Sequence, residues 1–177
     1  DLGPFTRLSE APLLDRSAVD PFLTASPCVL LNEGRWRMWY VSGTAWTSNA
    51  GRPSHAYHVR YAESDDGIAW DRRGHVCLDY GSPDEYAFGR ACVVRDRDRY
   101  RMWFSVRGDR YTIGFADSDD GLAWRRHTAA GLSPSASGWD DQMVEYPWVF
   151  DAGPARYMLY NGNDYGRTGI GLARWRR

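Results

Sequence analysis

The chain has 177 residues, of which 43% are apolar and 25% charged, and its formal net charge is −1. This length suits one domain or part of a larger one, and the composition is that of an ordinary globular protein. A charge so close to zero creates no field that would attract nucleic acid or an anionic membrane, so neither is predicted as a partner. No apolar run is long enough to span a bilayer and the first residues do not resemble a signal peptide, so a cytoplasmic location is predicted.

Aromatic residues make up 15% of the chain and include nine tryptophans. Such an excess fits a β-rich core, and it also fits a surface on which flat rings stack against sugars. All 22 basic residues are arginine, which a GC-rich genome explains and which also suits bidentate binding of carboxylates. Cys28 and Cys92 lie in apolar runs, so they are predicted to be buried free thiols rather than parts of a disulfide framework.

Three units repeat along the chain in one register. Each begins with a short apolar run, and eleven residues after its first residue comes a methionine followed by two large apolar residues: Met38, Met102 and Met158. Seven residues before each run stands an aspartate: Asp20, Asp84 and Asp140. A residue present in every unit at one register is typical of a structural role, such as capping a turn.

Short strands rich in aromatic and β-branched residues, with no amphipathic helix, predict an all-β fold. A four-stranded antiparallel unit repeated in register predicts β-propeller blades, with a β-sandwich as the alternative. The predicted boundaries are 1–15 for the outer strand of a preceding blade, 16–80 and 81–134 for two blades, and 135–177 for a blade that lacks its fourth strand. Three blades leave two open sheet edges, so further blades or another chain are predicted to cover them.

The first two units share a doublet, "YAESDDGIAW" from Tyr61 and "FADSDDGLAW" from Phe115. Two adjacent acids beside a serine suggest either an acidic site used twice or a piece of scaffold. The Asp-Gly steps fall where the third strand turns back into the fourth, and glycine supplies the positive φ that such a turn needs. We therefore predict scaffold, with Trp70 and Trp124 filling the space between blades.

The runs "DPFLTASPCVLLNEGRWRMWYVSG", "YAESDDGIAW" and "YMLYNGNDYGRTGIGLA" resemble the five-bladed propellers of the invertase, levansucrase and arabinanase superfamily. They are most similar to bacterial proteins described as glycosyl hydrolase family 32 N-terminal-domain-like. The resemblance covers essentially the whole chain and matches the last three of five blades. It implies a carbohydrate ligand and acid/base hydrolysis of a glycosidic bond at the central channel by paired carboxylates. The first two blades would supply the base and the tuning aspartate, so the 177-residue chain alone is expected to be inactive on aryl-glycosides.

Two acids are predicted to be catalytic on the strength of this resemblance. "Val19-Asp20-Pro21" is similar to the Asp-Pro steps at the superfamily's active sites, and "Glu145-Tyr146-Pro147" is similar to the Glu-x-Pro arrangement of the arabinanase general acid. The predicted substrate-binding residues lie beside the inner strands or in the polar loops: Trp46, Glu85, Arg90, Arg107, Asp141, Tyr146, Asn163 and Tyr165. The alternative for Arg90 is a structural ion pair with Glu85 or Asp84.

No metal or cofactor is predicted. His55 and His58 form an H-x-x-H, but the period of a strand places them on opposite faces, and nothing nearby completes a zinc ligand set. The chain contains no phosphate loop, nucleophile elbow or HExxH motif. The competing function is a non-catalytic glycan-binding or scaffold propeller, which would keep aromatic platforms but would lack two carboxylates facing each other across the channel.

Overall fold

The computed structural model describes residues 3–49 and 52–175. It contains ten strands and one short helical turn, α1, in this order: β1 (Thr24–Asn32), β2 (Arg35–Asn49), β3 (Arg52–Ser64), β4 (Ala87–Arg95), β5 (Tyr100–Arg107), β6 (Tyr111–Ser118), β7 (Arg125–Arg126), β8 (Glu145–Ala152), β9 (Ala155–Asn161), α1 (Asn163–Gly166) and β10 (Ile170–Arg174). The predicted all-β class is confirmed.

The strands form three antiparallel units, which we call units 1, 2 and 3: β1–β3, β4–β7 and β8–β10. Within each unit, consecutive strands pair as a meander. The sheets of units 1 and 2 are connected by one parallel bridge, between Tyr57 of β3 and Ala87 of β4. The strand that leads each unit is the inner one, because β1, β4 and β8 together line a cavity of about 390 Å³. We call this cavity the channel.

The fourth strands are less regular than the repeat predicts. In unit 2 the fourth strand is the two-residue β7, and in unit 1 it consists of isolated bridges from Asp71 to Glu63 and from Val76 to Arg60. Between these bridges Gly74 has a φ of +73°, which breaks the extended run. Residues 3–23 contain no strand, so the predicted outer strand near the start of the chain is not formed here. A strand needs a neighbouring strand to bond its backbone groups, and in this described segment the backbone bond to a strand is at its last residue, where the Leu23 carbonyl accepts the N–H of Gly43.

Apolar side chains pack between the units. One core cluster joins Trp39 and Val59 of unit 1 to Phe88 and Met102 of unit 2, and a second joins unit 2 to unit 3. Successive residues of each middle strand point to opposite faces of the sheet. The methionine–aromatic run of the middle strand therefore contributes to both core clusters. Met102 lies in the first cluster, and Trp103 lies in the second.

The serine–aspartate–glycine doublet is scaffold, as predicted. In each copy the aspartate, Asp66 or Asp120, accepts two backbone N–H bonds of about 2.8–2.9 Å, and the serine hydroxyl accepts the glycine N–H. The glycines have φ of +75° and +80°. The indole of Trp39 in unit 1 donates to the Gly121 carbonyl at 2.9 Å and packs edge-on against Trp124, so the second doublet joins the two units.

Two cysteines link neighbouring inner strands through hydrogen bonds to their sulfur atoms. The backbone N–H of Val93 donates to the Cys28 sulfur at 3.3 Å, and that of Val149 donates to the Cys92 sulfur at 3.2 Å. Both thiols are free, as predicted, with Cys92 buried and Cys28 partly buried. Burial raises the pKa of the Cys28 thiol to about 11, so it stays protonated and unreactive near neutral pH.

Candidate functional site

A β-bulge interrupts each inner strand at the same register. The pairing shifts between Ala25 and Cys28, between Gly89 and Cys92, and between Glu145 and Trp148. Within each bulge one residue has a left-handed backbone, with φ of 48° at Ser26, 42° at Arg90 and 55° at Tyr146. Non-glycine residues adopt this conformation at a cost, and bulges re-aim side chains next to functional sites. The three bulges therefore mark the same end of the channel in every unit.

Side chains from all three units meet beside these bulges. Antiparallel strands bring the starts of β4, β6 and β8 and the end of β5 to one edge, where eight side chains form what we call the tyrosine–arginine cluster: Tyr57, Tyr86, Arg90, Arg107, Tyr111, Glu145, Tyr146 and Tyr165. The hydroxyls of Tyr57 and Tyr111 are 3.0 Å apart. The ring of Tyr165 lies 6.0 Å from that of Tyr111 and 6.5 Å from that of Tyr146.

Glu145 is the unusual member of the cluster. Its side chain is 0% exposed, and neither carboxyl oxygen has a hydrogen-bond partner among the described residues. Burial raises the pKa of Glu145 to about 7, against the opposing effect of the positive charge of Arg107. A buried carboxyl without a partner is costly, and such groups concentrate where a protein needs an acid that is still protonated near neutral pH.

The bulge beside Glu145 is held by Ser105, a buried residue of β5. Its hydroxyl oxygen accepts the backbone N–H of Tyr146 at 2.9 Å. This bond gives the N–H of the strained residue next to Glu145 a hydrogen-bond partner. Ser42 of β2 is equally buried, but its hydroxyl has no partner among the described residues. The two serines therefore form a matched pair, one with a structural bond and one without.

Replacement of Ser105 by alanine is expected to lower the free energy of unfolding by about 1–2 kcal/mol, because it leaves the partly buried Tyr146 N–H without its acceptor. Replacement of Ser42 by alanine removes an unsatisfied hydroxyl and is expected to be neutral or slightly stabilising. Urea denaturation of both variants measures the difference. Equal losses in the two variants would show that the bond at the bulge contributes nothing.

The cluster contains four of the predicted binding residues: Arg90, Arg107, Tyr146 and Tyr165. Arg90 is exposed and lies over the Tyr146 ring, with its guanidinium carbon 5.8 Å from the ring centroid. Arg107 lies over the rings of Tyr86 and Tyr111 at 5.2 and 5.4 Å. Tyr165, 52% exposed, lies on the left-handed turn of α1. Trp46 borders the cluster, since its ring lies 5.4 Å from that of His55, which is itself 5.4 Å from that of Tyr57.

Asp20 and Glu85 are placed in ion pairs within their own units. Asp20 is fully buried and accepts bonds from the Tyr40 hydroxyl at 3.1 Å and from Arg72 at 3.1 Å. Glu85 forms a bidentate pair with Arg126, both bonds being 2.6 Å, so the alternative of an Arg90–Glu85 pair is wrong. Arg72 and Arg126 each lie two residues after the doublet tryptophan, so the same arginine position serves both units.

The bonding of each repeated aspartate depends on which aromatic residue the middle strand of its unit carries. Asp140 accepts a bond from the Tyr160 hydroxyl at 2.9 Å, as Asp20 does from Tyr40. Unit 2 has Phe104 at this position, which offers no hydroxyl, and its aspartate, Asp84, is exposed. The pattern supports the structural interpretation of the repeated aspartates.

Asp141 and Asn163 hold the loops of unit 3. The Asn163 amide donates to Asp141 at 2.8 Å, and its oxygen accepts the backbone N–H of Gln142 at 2.8 Å. These bonds tie α1 to the segment before β8 and so support the turn that carries Tyr165. Within residues 3–49 and 52–175, no three His, Cys, Asp or Glu side chains are grouped so that they could hold a metal ion. No helix in those ranges is long and apolar enough to cross a bilayer.

Sequence reasoning missed Tyr57, Tyr86, Tyr111 and Ser105. Tyr57 and Tyr111 lie on the third strands, and the repeat does not mark the starts of these strands, which are Arg52 for β3 and Tyr111 for β6. Strand ends are hard to place from sequence, and here the missed residues are the ones that face the cluster. Likewise Trp46 lies within β2 and Arg107 ends β5, although both were predicted to lie in loops.

No protein-family model matches the chain. It is 44% identical over 172 residues to "Uncharacterized protein MT1551" of Mycobacterium tuberculosis strain CDC 1551 / Oshkosh, and 43% identical to "Uncharacterized protein Rv1502" of strain ATCC 25618 / H37Rv. Each alignment covers 97% of this chain and 57% of the relative. The chain therefore spans little more than half the length of the curated relatives it matches.

Solved structures with a similar backbone include several glycoside hydrolases. A thermostable family-43 glycoside hydrolase superposes with a TM-score of 0.73 at 16% identity, covering 94% of this chain and 57% of that one. Zg3597, a family 117 glycoside hydrolase of Zobellia galactanivorans, gives 0.70 at 16% identity, covering 91% and 54%. Sucrose-6-phosphate hydrolase from Lactobacillus gasseri gives 0.64 at 12% identity, covering 81% and 29%.

The fold is a β-propeller. The three units are its blades, and the predicted propeller class is confirmed. The tyrosine–arginine cluster lies at one end of this propeller's channel, where β4 and β8 carry their bulges.

Proposed function

We propose that the protein is a carbohydrate-active propeller that hydrolyses a glycosidic bond, with Glu145 as the general acid. The observation that carries this proposal is the buried carboxyl of Glu145, whose oxygens have no partner among the described residues and whose pKa lies at about 7. The aromatic border of the cluster supports a sugar as the ligand, because flat rings pack against sugar faces. The fold shared with glycoside hydrolases supports the same class of reaction.

In this mechanism the protonated Glu145 carboxyl donates its proton to the glycosidic oxygen as the bond to the leaving sugar breaks. Burial keeps the proton in place until the leaving oxygen accepts it, and Arg107 then stabilises the carboxylate that forms. Arg90, Tyr146 and Tyr165 would orient the sugar from the border of the cluster.

Hydrolysis also needs a second carboxylate, about 5–10 Å from the first, to activate water or to attack the sugar directly. The charged group that acts on the pKa of Glu145 is the guanidinium of Arg107, which cannot serve as this second carboxylate. Asp20 was predicted to be catalytic, but its carboxylate is engaged by Tyr40 and Arg72 of unit 1. We propose that the second carboxylate comes from a part of the propeller outside residues 3–49 and 52–175.

This missing carboxylate favours a second candidate function, a non-catalytic glycan-binding propeller. The test is a panel of oligosaccharides and aryl-glycosides, assayed with the full-length protein for both binding and release of reducing sugar. Release that is lost in Glu145→Gln supports the hydrolase. Binding without release, unchanged by Glu145→Gln, supports the glycan-binding protein, and neither binding nor release contradicts both.

A further inference from the structure

Two arginines of the tyrosine–arginine cluster lack an acidic partner. Arg72 and Arg126, which lie inside the blades, pair with Asp20 and Glu85. Within residues 3–49 and 52–175, neither Arg90 nor Arg107 forms an ion pair, and no hydrogen bond there uses their guanidinium groups. Both lie at the end of the channel where Glu145 is buried, on the paired strands β4 and β5.

Tyrosine rings hold both arginines without using their hydrogen-bond donors. The Arg90 guanidinium lies 5.8 Å from the Tyr146 ring centroid, and that of Arg107 lies over Tyr86 and Tyr111. A cation above a ring face is attracted by the ring's quadrupole, and this contact leaves the N–H groups at the edge of the guanidinium free. The two guanidinium groups are therefore positioned by aromatic contacts and are still able to bind an anion in a bidentate manner.

The charge of the tyrosine–arginine cluster also indicates an anionic ligand. The whole chain has a net charge of −1, yet the cluster contains two arginines and one carboxyl group. Since burial disfavours the charged form of Glu145, this one carboxyl of the cluster offsets the charge of the two arginines only in part near neutral pH. An uncharged sugar would leave this positive charge uncompensated, whereas an acidic sugar would neutralise it.

We propose that this site takes an acidic sugar, whose carboxylate or sulfate group is bound by Arg90 and Arg107. The inference rests on the proposed function and assigns its substrate class. A guanidinium fork pairs bidentately with a planar carboxylate, which favours a uronic acid residue, and sulfate esters share the same chemistry. The acidic group would lie on the arginine side of the ring while the glycosidic oxygen faces Glu145.

The test compares acidic oligosaccharides with neutral counterparts of the same linkage. The probes are oligogalacturonate, oligomannuronate and oligoguluronate, each beside its carboxyl-reduced form, together with a sulfated galactan oligosaccharide beside its desulfated form. Binding to the full-length protein is measured by calorimetry. We expect at least one acidic probe to bind about tenfold or more tightly than its neutral partner, and the carboxylate and sulfate arms separate the two sources of charge.

The variants are Arg90→Gln and Arg107→Gln, with Arg97→Gln as the control. Arg97 is exposed in the turn between β4 and β5, at the opposite end of these strands. Each cluster variant is expected to remove most of the preference for the acidic probe, and the control is expected to keep it. Circular dichroism shows whether each variant is folded.

The outcomes separate this inference from the proposed function. Neutral probes that bind as tightly as acidic ones, or variants that keep the acidic preference, overturn the acidic-sugar inference and leave hydrolysis in place. An acidic probe that binds through both arginines but is not cleaved supports the inference and counts against hydrolysis. No binding of any probe overturns both.

Discussion

Glu145→Gln is expected to lower kcat on the best substrate of the glycoside panel by about 10²–10⁴-fold, the usual contribution of general acid catalysis. Glutamine keeps the size of the side chain but has no acidic proton to transfer to the leaving oxygen. The fall is expected in kcat rather than KM, because proton transfer stabilises the transition state and not the bound substrate. Steady-state kinetics of the full-length protein measure both constants.

The pH profile provides a second readout of Glu145. A general acid works in its protonated form, so wild-type activity is expected to decline as the pH rises above the pKa of about 7. The residual activity of Glu145→Gln is expected to lack this decline. Glu63→Gln is the matched control, since Glu63 lies on β3 and bonds the Tyr61 hydroxyl away from the cluster. A Glu145→Gln variant with wild-type kcat would exclude the acid role.

Glu145 also couples stability to pH. Its pKa is raised from 4.5 to about 7, so between these values the folded state holds a proton that the unfolded state has released. Stability therefore falls as the pH rises through this window, by about 3 kcal/mol at most. Glu145→Gln has no such proton and is expected to lose this slope, which urea denaturation between pH 4.5 and 8 would show. The wild-type protein thus trades stability for an acid that functions near neutral pH.

The largest loss of stability is expected for Trp39→Ala, at about 3–5 kcal/mol. Trp39 is 0% exposed, lies in the core cluster between units 1 and 2, and donates to the Gly121 carbonyl of the second doublet. The change opens a cavity between two blades and leaves that carbonyl without its indole donor. Because the free energy of unfolding of a domain is only about 5–15 kcal/mol, the expected loss is a large fraction of the total.

Trp46→Ala is the control for this substitution. Trp46 is 57% exposed and packs against Phe22 and His55 at the border of the site, so its loss is expected to cost less than about 1 kcal/mol. Chemical denaturation of both variants gives the comparison. Equal losses would show that the doublet and Trp39 do not join the blades, contrary to the scaffold role assigned to the doublet.

The repeat made the fold predictable from the sequence. Residues that recur from unit to unit, such as Met38 and Met102 or the two doublets, have structural roles, and their register predicted the strands and the turns. The fourth strand of unit 1 was less predictable. The positive φ of Gly74 interrupts this strand, and no repeated pattern in the sequence predicts that angle.

Part of the candidate site was proposed from residues that depart from the repeat. Arg90 stands where the other two units have Ser26 and Tyr146. The sequence carries no sign, however, that all three have left-handed backbones in β-bulges, because bulges depend on pairing with the next strand. The burial of Glu145 and the contacts of Tyr57, Tyr86 and Tyr111 arise from packing between blades, which lies beyond local sequence patterns.

The most direct test of the account is the pKa of Glu145, measured by carbon-13 NMR of its carboxyl group in the full-length protein. Buried and unpartnered among the described residues, this carboxyl is expected to titrate at about 7, and the assignment is secured by loss of the signal in Glu145→Gln. A titration near the ordinary value of 4.5 would mean that the carboxyl is solvated or paired. That result would contradict its role as the acid of a carbohydrate site.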